Sequence, residues 1–485
     1  MKAFKRDRTL FVLMCVTLVL ALTIGNANAS PTRQGKTDFA AINAYIETQR
    51  KDLGIPGMAL GIVQDGKIVH LQGFGVADSS GREVTPQTPF YIGSVTKSFT
   101  ALAVMQLVEA GKIDLDAPVQ TYLPWFELAD KDASAKITVR NLLNHTTGIS
   151  TKDGNGFWTS RQELEETVRG FNTVHLTQPV GTKFQYSNLN YDIAGLIVEK
   201  VSGQSYADYV TQYIFEPLDM RHSYASRSPA LADGLAEGHY YMFGRVFGFE
   251  GAVPPVYIPS GFLIASVEDM THYAIAQLND GWYGDTTILS AQGIAELHAP
   301  AIPLGGDNYY AMGWILSTWD GLPIVWHDGN TGHFHSIVSL MPERSSGVVL
   351  LANASGFEQQ DQVYEIAKDV VSLLNDKAPV PFSLPISSRF RYWVFLLTPL
   401  LQILGIALVC RKRQSIKGWG VILTVVLNIA IVAFLFGLAQ LIPFPFPSLL
   451  VFYPDVGYGL IAVATLGVGW SVIYTVISLM RRRTK

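Results

Sequence analysis

Hydrophobic and polar positions follow several different periods along this chain, and each predicts a different element. Over residues 38–53 apolar side chains recur at helical spacing, which predicts an amphipathic helix. Residues 58–63 and 67–71 are short apolar runs on either side of Asp65-Gly66, the pattern of a tight β-hairpin. Residues 100–110 are apolar almost all the way round, so they predict a helix buried inside a domain, with Gly111 placed to end it. From 114 to about 280 the chain reads as mostly helical and loop-rich, with helices expected at 139–143, 161–169, 189–201, 205–214 and 266–278. Strand patterns return at 311–318, 323–326, 333–340 and 347–352, with an Asp320-Gly321 turn, before a last soluble helix at 360–374. A hairpin at one end and several strands at the other predict a single antiparallel sheet of an α+β domain. A helix-rich insertion interrupts that sheet, so the two ends of the domain must meet across it.

Beyond Pro379, Pro381 and Pro385 the pattern changes to three long apolar runs at 392–409, 421–441 and 458–479. Each is about 20 residues, enough to cross a bilayer as a helix. Arg411, Lys412, Arg413 and Lys417 separate the first run from the second, and Arg481, Arg482, Arg483 and Lys485 follow the third. The connection at 442–456 carries no Lys or Arg. Basic loops stay in the cytoplasm, so this distribution predicts a multi-pass protein whose preceding domain is extracytoplasmic. Arg389 and Arg391, on the outer flank, dissent slightly. At the other end, Lys2, Lys5, Arg6 and Arg8 precede an apolar run at 9–24 and the small-residue stretch Ala27-Asn28-Ala29. That is the layout of a secretory signal cleaved after Ala29; the rival reading is an uncleaved anchor, and either one exports the domain behind it. The expected organisation is therefore a signal peptide at 1–29, a folded domain at 30–378, a linker at 379–390 and a three-helix transmembrane region at 391–485.

Composition sharpens this picture at three points. The hydrophobic share of 48% is high for a soluble protein, but the excess sits at the two ends, where membrane segments account for it. A formal charge of −4 and the lack of a basic stripe argue against a nucleic-acid partner. The only cysteines, Cys15 and Cys410, lie in or beside the terminal apolar runs, so the central domain has neither disulfides nor cysteine metal sites. None of the three C-terminal runs has an ionisable residue near its middle, so they read as an anchor with no proton or ion path.

Three short motifs carry candidate chemistry. Ser94-Val95-Thr96-Lys97 opens the buried helix. Helical residues three apart share a face, a lysine in a dry site is readily neutral, and a neutral amine can take a proton from a serine hydroxyl. Tyr186-Ser187-Asn188 precedes the helix at 189–201. A phenol whose pKa is lowered by a nearby cation can relay protons, and an amide two residues on can hold a carbonyl; the bland reading is a packed Tyr and a helix-capping Asn. His327-Asp328-Gly329-Asn330 lies at a strand end, where glycine allows a substrate close to the backbone; the bland reading is a loop with a surface histidine. His333 and His335, if both lie on a strand, face one side, but no further ligands stand at metal-site spacing and neither a His-Glu-x-x-His nor a Gly-x-Ser-x-Gly occurs.

In this order the three motifs resemble those of the serine β-lactamase and penicillin-binding-protein superfamily, in the branch with class C β-lactamases, D-alanyl-D-alanine carboxypeptidases and esterases. Residues 142–148 and 259–262 add family-like stretches. The resemblance implies a β-lactamase-like α/β fold over residues 40–374 and a serine hydrolase needing no cofactor. It implies Ser94 as acylated nucleophile, Lys97 as its base, Tyr186 as proton shuttle, His327 in the place where many relatives carry lysine, and Asn188 as a substrate contact. Gly329 would shape the substrate edge, and the Asn330 N–H would join that of Ser94 in an oxyanion hole. The substrate expected is a small molecule or a cell-wall peptide or ester at a bacterial membrane. The alternatives are a true β-lactamase and a non-catalytic penicillin-recognising receptor.

Overall fold

In this computed structural model the described residues are 38–158, 160–249, 253–380, 386–411, 418–440, 442 and 444–483. The expected signal peptide lies outside them.

The chain enters the domain through helix α1 (Phe39–Leu53) and strands β1 (Gly57–Gln64) and β2 (Lys67–Gly75). Asp65 and Gly66 join the strands with φ of 50° and 70°, as a type I′ turn demands and as an Asp-Gly pair supplies. Helices α2 (Thr96–Glu109), α3 (Asn188–Ser202) and α4 (Val267–Leu278) belong to the insertion. Strands β3 (Ile302–Gly305), β4 (Asn308–Tyr310), β5 (Ile315–Trp319), β6 (Leu322–Asn330), β7 (His335–Met341) and β8 (Ser346–Ala352) complete the sheet, and α5 (Phe357–Leu374) follows. The eight strands run in the order β2-β1-β8-β7-β6-β5-β4-β3. All neighbours are antiparallel, and β1 and β8 pair with Met58 opposite Ala352. The ends of the domain therefore meet inside the sheet, as the pattern requires.

β8 is buried along its whole length and β1 along all but its last residue, because helices cover both faces. The packing is close: a Cβ on Gly61 of β1 would lie 2.5 Å from Thr271 Cγ2 of α4. Helix α2 is buried from Thr96 to Met105, in accord with its all-round apolar sequence.

Three local expectations differ from what is seen. A one-turn helix, Thr151–Gly154, capped by Ser150, lies between the helices expected at 139–143 and 161–169. A hairpin of Gly238–Met242 and Arg245–Phe249 interrupts the helical middle. It turns through Phe243 and Gly244, both at positive φ; a phenylalanine there is atypical turn chemistry, which is why periodicity does not reveal it. His333 lies in the turn before β7 and His335 opens the strand, so the two do not share a strand face. The His333 ring stacks instead on Phe249, with centroids 3.3 Å apart.

After the domain come helices α6 (Ile386–Arg411), α7 (Gly418–Ala439), α8 (Phe446–Phe452) and α9 (Pro454–Arg483). Three of them hold stretches long and apolar enough to cross a membrane: Trp393–Arg411, Trp419–Ala439 and Pro454–Met480. Helix α6 starts at Ile386, ahead of the apolar run and inside the segment expected as linker. Gln402 ties this bundle together, donating to Asn428 Oδ1 at 3.2 Å and to the Val463 carbonyl at 3.1 Å.

Candidate active site

Ser94 sits in a 3-10 turn, Gly93–Val95, that runs directly into α2. Lys97, on the first turn of that helix, has no solvent exposure. Its Nζ lies 3.0 Å from Ser94 Oγ, 2.8 Å from Asn188 Oδ1 and 2.6 Å from the Ser260 carbonyl. Burial drives its pKa down to about 7, against the upward pull of Asp192 and Asp328. The partner set suits the neutral form. Two of the three partners are pure acceptors, so they take both N–H bonds of an uncharged amine, and its lone pair then faces the Ser94 hydroxyl. An ammonium there would sit without a bound counter-ion in a dry site, which is what depresses the pKa.

Tyr186 donates to Ser94 Oγ from the other side, at 2.8 Å. The motif alone suggests a phenol with a lowered pKa, and the structure reverses that. Tyr186 is held well above the ordinary tyrosine value, first by burial and then by Tyr310, and the Lys97 Nζ that lies over its ring is itself readily neutral. The phenol therefore keeps its proton and acts as a donor. Asn188 does not cap α3: its amide oxygen accepts from Lys97 and its nitrogen donates to Asn155 Oδ1 at 3.1 Å.

His327 is neither a loop nor a surface residue; it lies within β6 and is 2% exposed. Burial holds its pKa down at about 4. Its Nδ1 is 2.6 Å from the Asp328 carbonyl, an acceptor only, so Nδ1 carries the proton and Nε2 is left as an acceptor on the cleft wall. The position thus offers a lone pair where a lysine would offer a cation.

Two glycines bring β6 against the serine's turn. A Cβ on Gly329 would fall 2.0 Å from the Ile92 carbonyl and 2.7 Å from Ser94 N, and one on Gly93 would fall 2.5 Å from Asn330 N. Only residues without side chains permit that approach, and it sets the backbone of Asn330 beside that of Ser94. Ser336 Oγ fastens the arrangement by donating to the Ile92 carbonyl at 2.6 Å.

Ser94, Tyr186, Asn188, His327 and Asn330 line one cleft of about 370 Å³, with Lys97 directly behind Ser94. The structure adds groups that the motifs did not name. His145 accepts at Nδ1 from the Ser187 N–H at 3.2 Å, and its ring lies 4.5 Å from that of Tyr186, fixing the turn that carries the phenol. Asp192, one turn along α3 from Asn188, is fully buried beside Lys97, and burial raises its pKa well above the usual carboxylate range. Both groups had a signal: His145 lies in the family-like stretch 142–148, and an acid stands out on an otherwise apolar helix face. Phe444, Phe452 and Tyr453, from the connection between the second and third apolar helices, also line the cleft, and nothing local in the sequence announced it.

With this geometry in view, comparison with known proteins is consistent. The profile of the family described as "Beta-lactamase" matches residues 42–371. Protein flp of Staphylococcus aureus (strain MW2) is 27% identical over 429 residues, covering 83% of this chain and 82% of that protein. Unguisins hydrolase ungD' of Aspergillus campestris (strain IBT 28561) is 30% identical over 345 residues, covering 67% of this chain and 64% of that protein. Among solved structures, the octameric penicillin-binding protein homologue from Pyrococcus abyssi is similar at a TM-score of 0.62 and 29% identity, covering 74% of this chain and 81% of that one.

Proposed function

From the premise that this chain belongs to the Beta-lactamase family, we propose that it is a membrane-anchored serine hydrolase that cleaves an ester or amide through an acyl-enzyme on Ser94. The observation that carries this reading is the set of partners around Lys97, which favours a neutral amine with its lone pair on the serine hydroxyl.

In the proposed cycle Ser94 Oγ attacks the carbonyl carbon and its proton passes to Lys97. The oxyanion is held by the backbone N–H groups of Ser94 and Asn330. As the intermediate collapses, the bond to the leaving group breaks and that group takes the Tyr186 proton, which the Lys97 ammonium replaces. Lys97, neutral again, then deprotonates the water that releases the acyl group. Asn188 positions both the lysine and the substrate amide.

The His327 lone pair bears on the substrate. No Lys or Arg lines the cleft among the described residues, so nothing there offers a fixed cation to a substrate carboxylate. That favours a neutral ester or amide over a penicillin or a free D-alanyl terminus, and it ranks the β-lactamase alternative lower. The charge distribution around the apolar helices supports an extracytoplasmic domain and hence a cell-envelope substrate.

The test is intact-mass analysis of the full chain after incubation with a fluorophosphonate. The expected result is one adduct, mapped to Ser94 and lost in Ser94→Ala. Failure of the wild-type protein to form it at pH 8, with the cleft folded, ends the hydrolase reading and leaves the receptor alternative.

A further inference from the structure

The connection between the second and third apolar helices does more than join them. Its aromatic residues form part of the cleft wall at Ser94. Phe452 meets Trp158 edge-on at 4.6 Å between centroids and packs at a tilt on Phe444 at 4.8 Å. Ser448 Oγ donates to the Asn155 carbonyl at 2.6 Å, and Asn155 in turn accepts from Asn188, which holds Lys97. The connection is thus three hydrogen bonds from the catalytic amine.

Its place relative to the bilayer is set by the same residues. The second apolar stretch ends at Ala439 and the third begins at Pro454, immediately after Tyr453. Tyr453 on the cleft wall is therefore adjacent in the chain to the third stretch, and Phe444 lies about one helical turn past the end of the second. The connection reads Ile442-Pro443-Phe444-Pro445-Phe446-Pro447, with no Lys or Arg as far as Val456. Aromatic, uncharged segments of this kind settle at the interface. Tyr257 and Phe262, which pack on Trp158 beside Phe452, extend the apolar wall there.

We propose that this connection is a specificity element and that the substrate is an amphiphile: an ester or amide whose reacting carbonyl sits at Ser94 while its apolar chain runs along Phe444, Phe452 and Tyr453 towards the bilayer surface. The proposal rests on the hydrolase reading above and adds the class of substrate to it. Each methylene of an acyl chain buried against these three aromatic side chains contributes to binding, whereas a short hydrophilic group would bury little apolar surface there.

The full chain, reconstituted in vesicles of phosphatidylglycerol and phosphatidylethanolamine, tests it with two chromogenic esters that share a leaving group, an acetyl and a decanoyl ester. The expected ratio of kcat/KM, decanoyl over acetyl, is about tenfold or more in the wild-type protein. Phe452→Ser should bring that ratio close to one, Phe444→Ser should lower it by several fold, and Phe452→Leu, which keeps an apolar wall, should largely restore it. Both esters meet the same vesicles in every variant, so partitioning into lipid cancels from the comparison. Fluorophosphonate labelling of Ser94 checks that each variant is folded and separates the two claims. A labelled wild-type protein with a ratio near one, or an unchanged ratio in both serine variants, overturns the amphiphile proposal alone. An unlabelled wild-type protein overturns the hydrolase reading and this proposal with it.

Discussion

Two regions of this molecule bury polar atoms, and they do so to opposite ends. In the cleft, Lys97, His145, Asp192 and His327 are packed out of water close to one another, and burial moves all four away from their charged forms. In the three-helix bundle, Gln402 and Asn428 pair across an apolar interior, and neither amide carries a charge. The first arrangement makes a neutral amine accessible near neutral pH, since burial brings the Lys97 pKa down to about 7. The second fixes helix rotation and has no proton to move. What links them is the short connection after the second apolar helix, which among the described residues is the part of the bundle that lines the cleft.

Several experiments would break or sharpen that contrast. The largest effect is expected at Lys97. Lys97→Met should lower the rate of acylation of Ser94 by about a thousandfold, measured by fluorophosphonate labelling, and Lys97→Arg should not restore it, because a guanidinium keeps its proton. Next is Gly329→Ala, where a methyl group would press on the Ile92 carbonyl at 2.0 Å. A loss of about 2 kcal/mol in stability and a fall in labelling of the order of a hundredfold are expected, read by thermal denaturation and adduct kinetics.

The pH dependence arises from the same lysine. Labelling should rise through pH about 7 and then level, as Lys97 loses its proton. Stability should move in the same direction. Between pH about 7 and the ordinary lysine value of 10.5 the unfolded chain binds a proton that the folded one does not. Folding is then favoured more as pH rises, by up to about 1.4 kcal/mol per pH unit. That slope should vanish in Lys97→Met, measured by denaturant melts across the range. The smallest effect is expected in the bundle: Gln402→Leu should cost about 0.6 kcal/mol and leave Ser94 labelling unchanged. A large change in labelling would mean that the two regions are coupled through the helices and not through the connection alone.

Much of the fold was legible in the chain because it is written in local periods. The Asp65-Gly66 turn and the alternation around it give β1 and β2, and the all-round apolar run gives α2. Ser94 and Lys97 could be placed on one helix face for the same reason. Tyr186, Asn188 and His327 are remote from them, and only the order of the three motifs suggested that they converge. Electrostatics was the least legible. A phenol near a lysine looks activated on paper, but in this cleft the lysine is itself readily neutral and burial dominates, so Tyr186 is a donor. Likewise His327, read at a strand end, lies inside the strand, because β6 extends through Asn330. Contacts made by the C-terminal connection had no local signature, since a proline- and phenylalanine-rich stretch between apolar helices reads equally well as a plain interfacial turn.

The register of β1 against β8 has a consequence for how the protein comes into being. Gly57 N–H waits for Asn353 Oδ1, 296 positions later, so the earliest strands to emerge stay unpaired on that edge until nearly the whole domain has been made. Such long-range closure is slow, and it leaves sticky edges exposed to helper proteins in the meantime. The Ser448–Asn155 link comes later still, because two more long apolar helices separate Ser448 from the domain. The cleft wall formed by Phe444, Phe452 and Tyr453 is therefore completed only after most of the chain has been made.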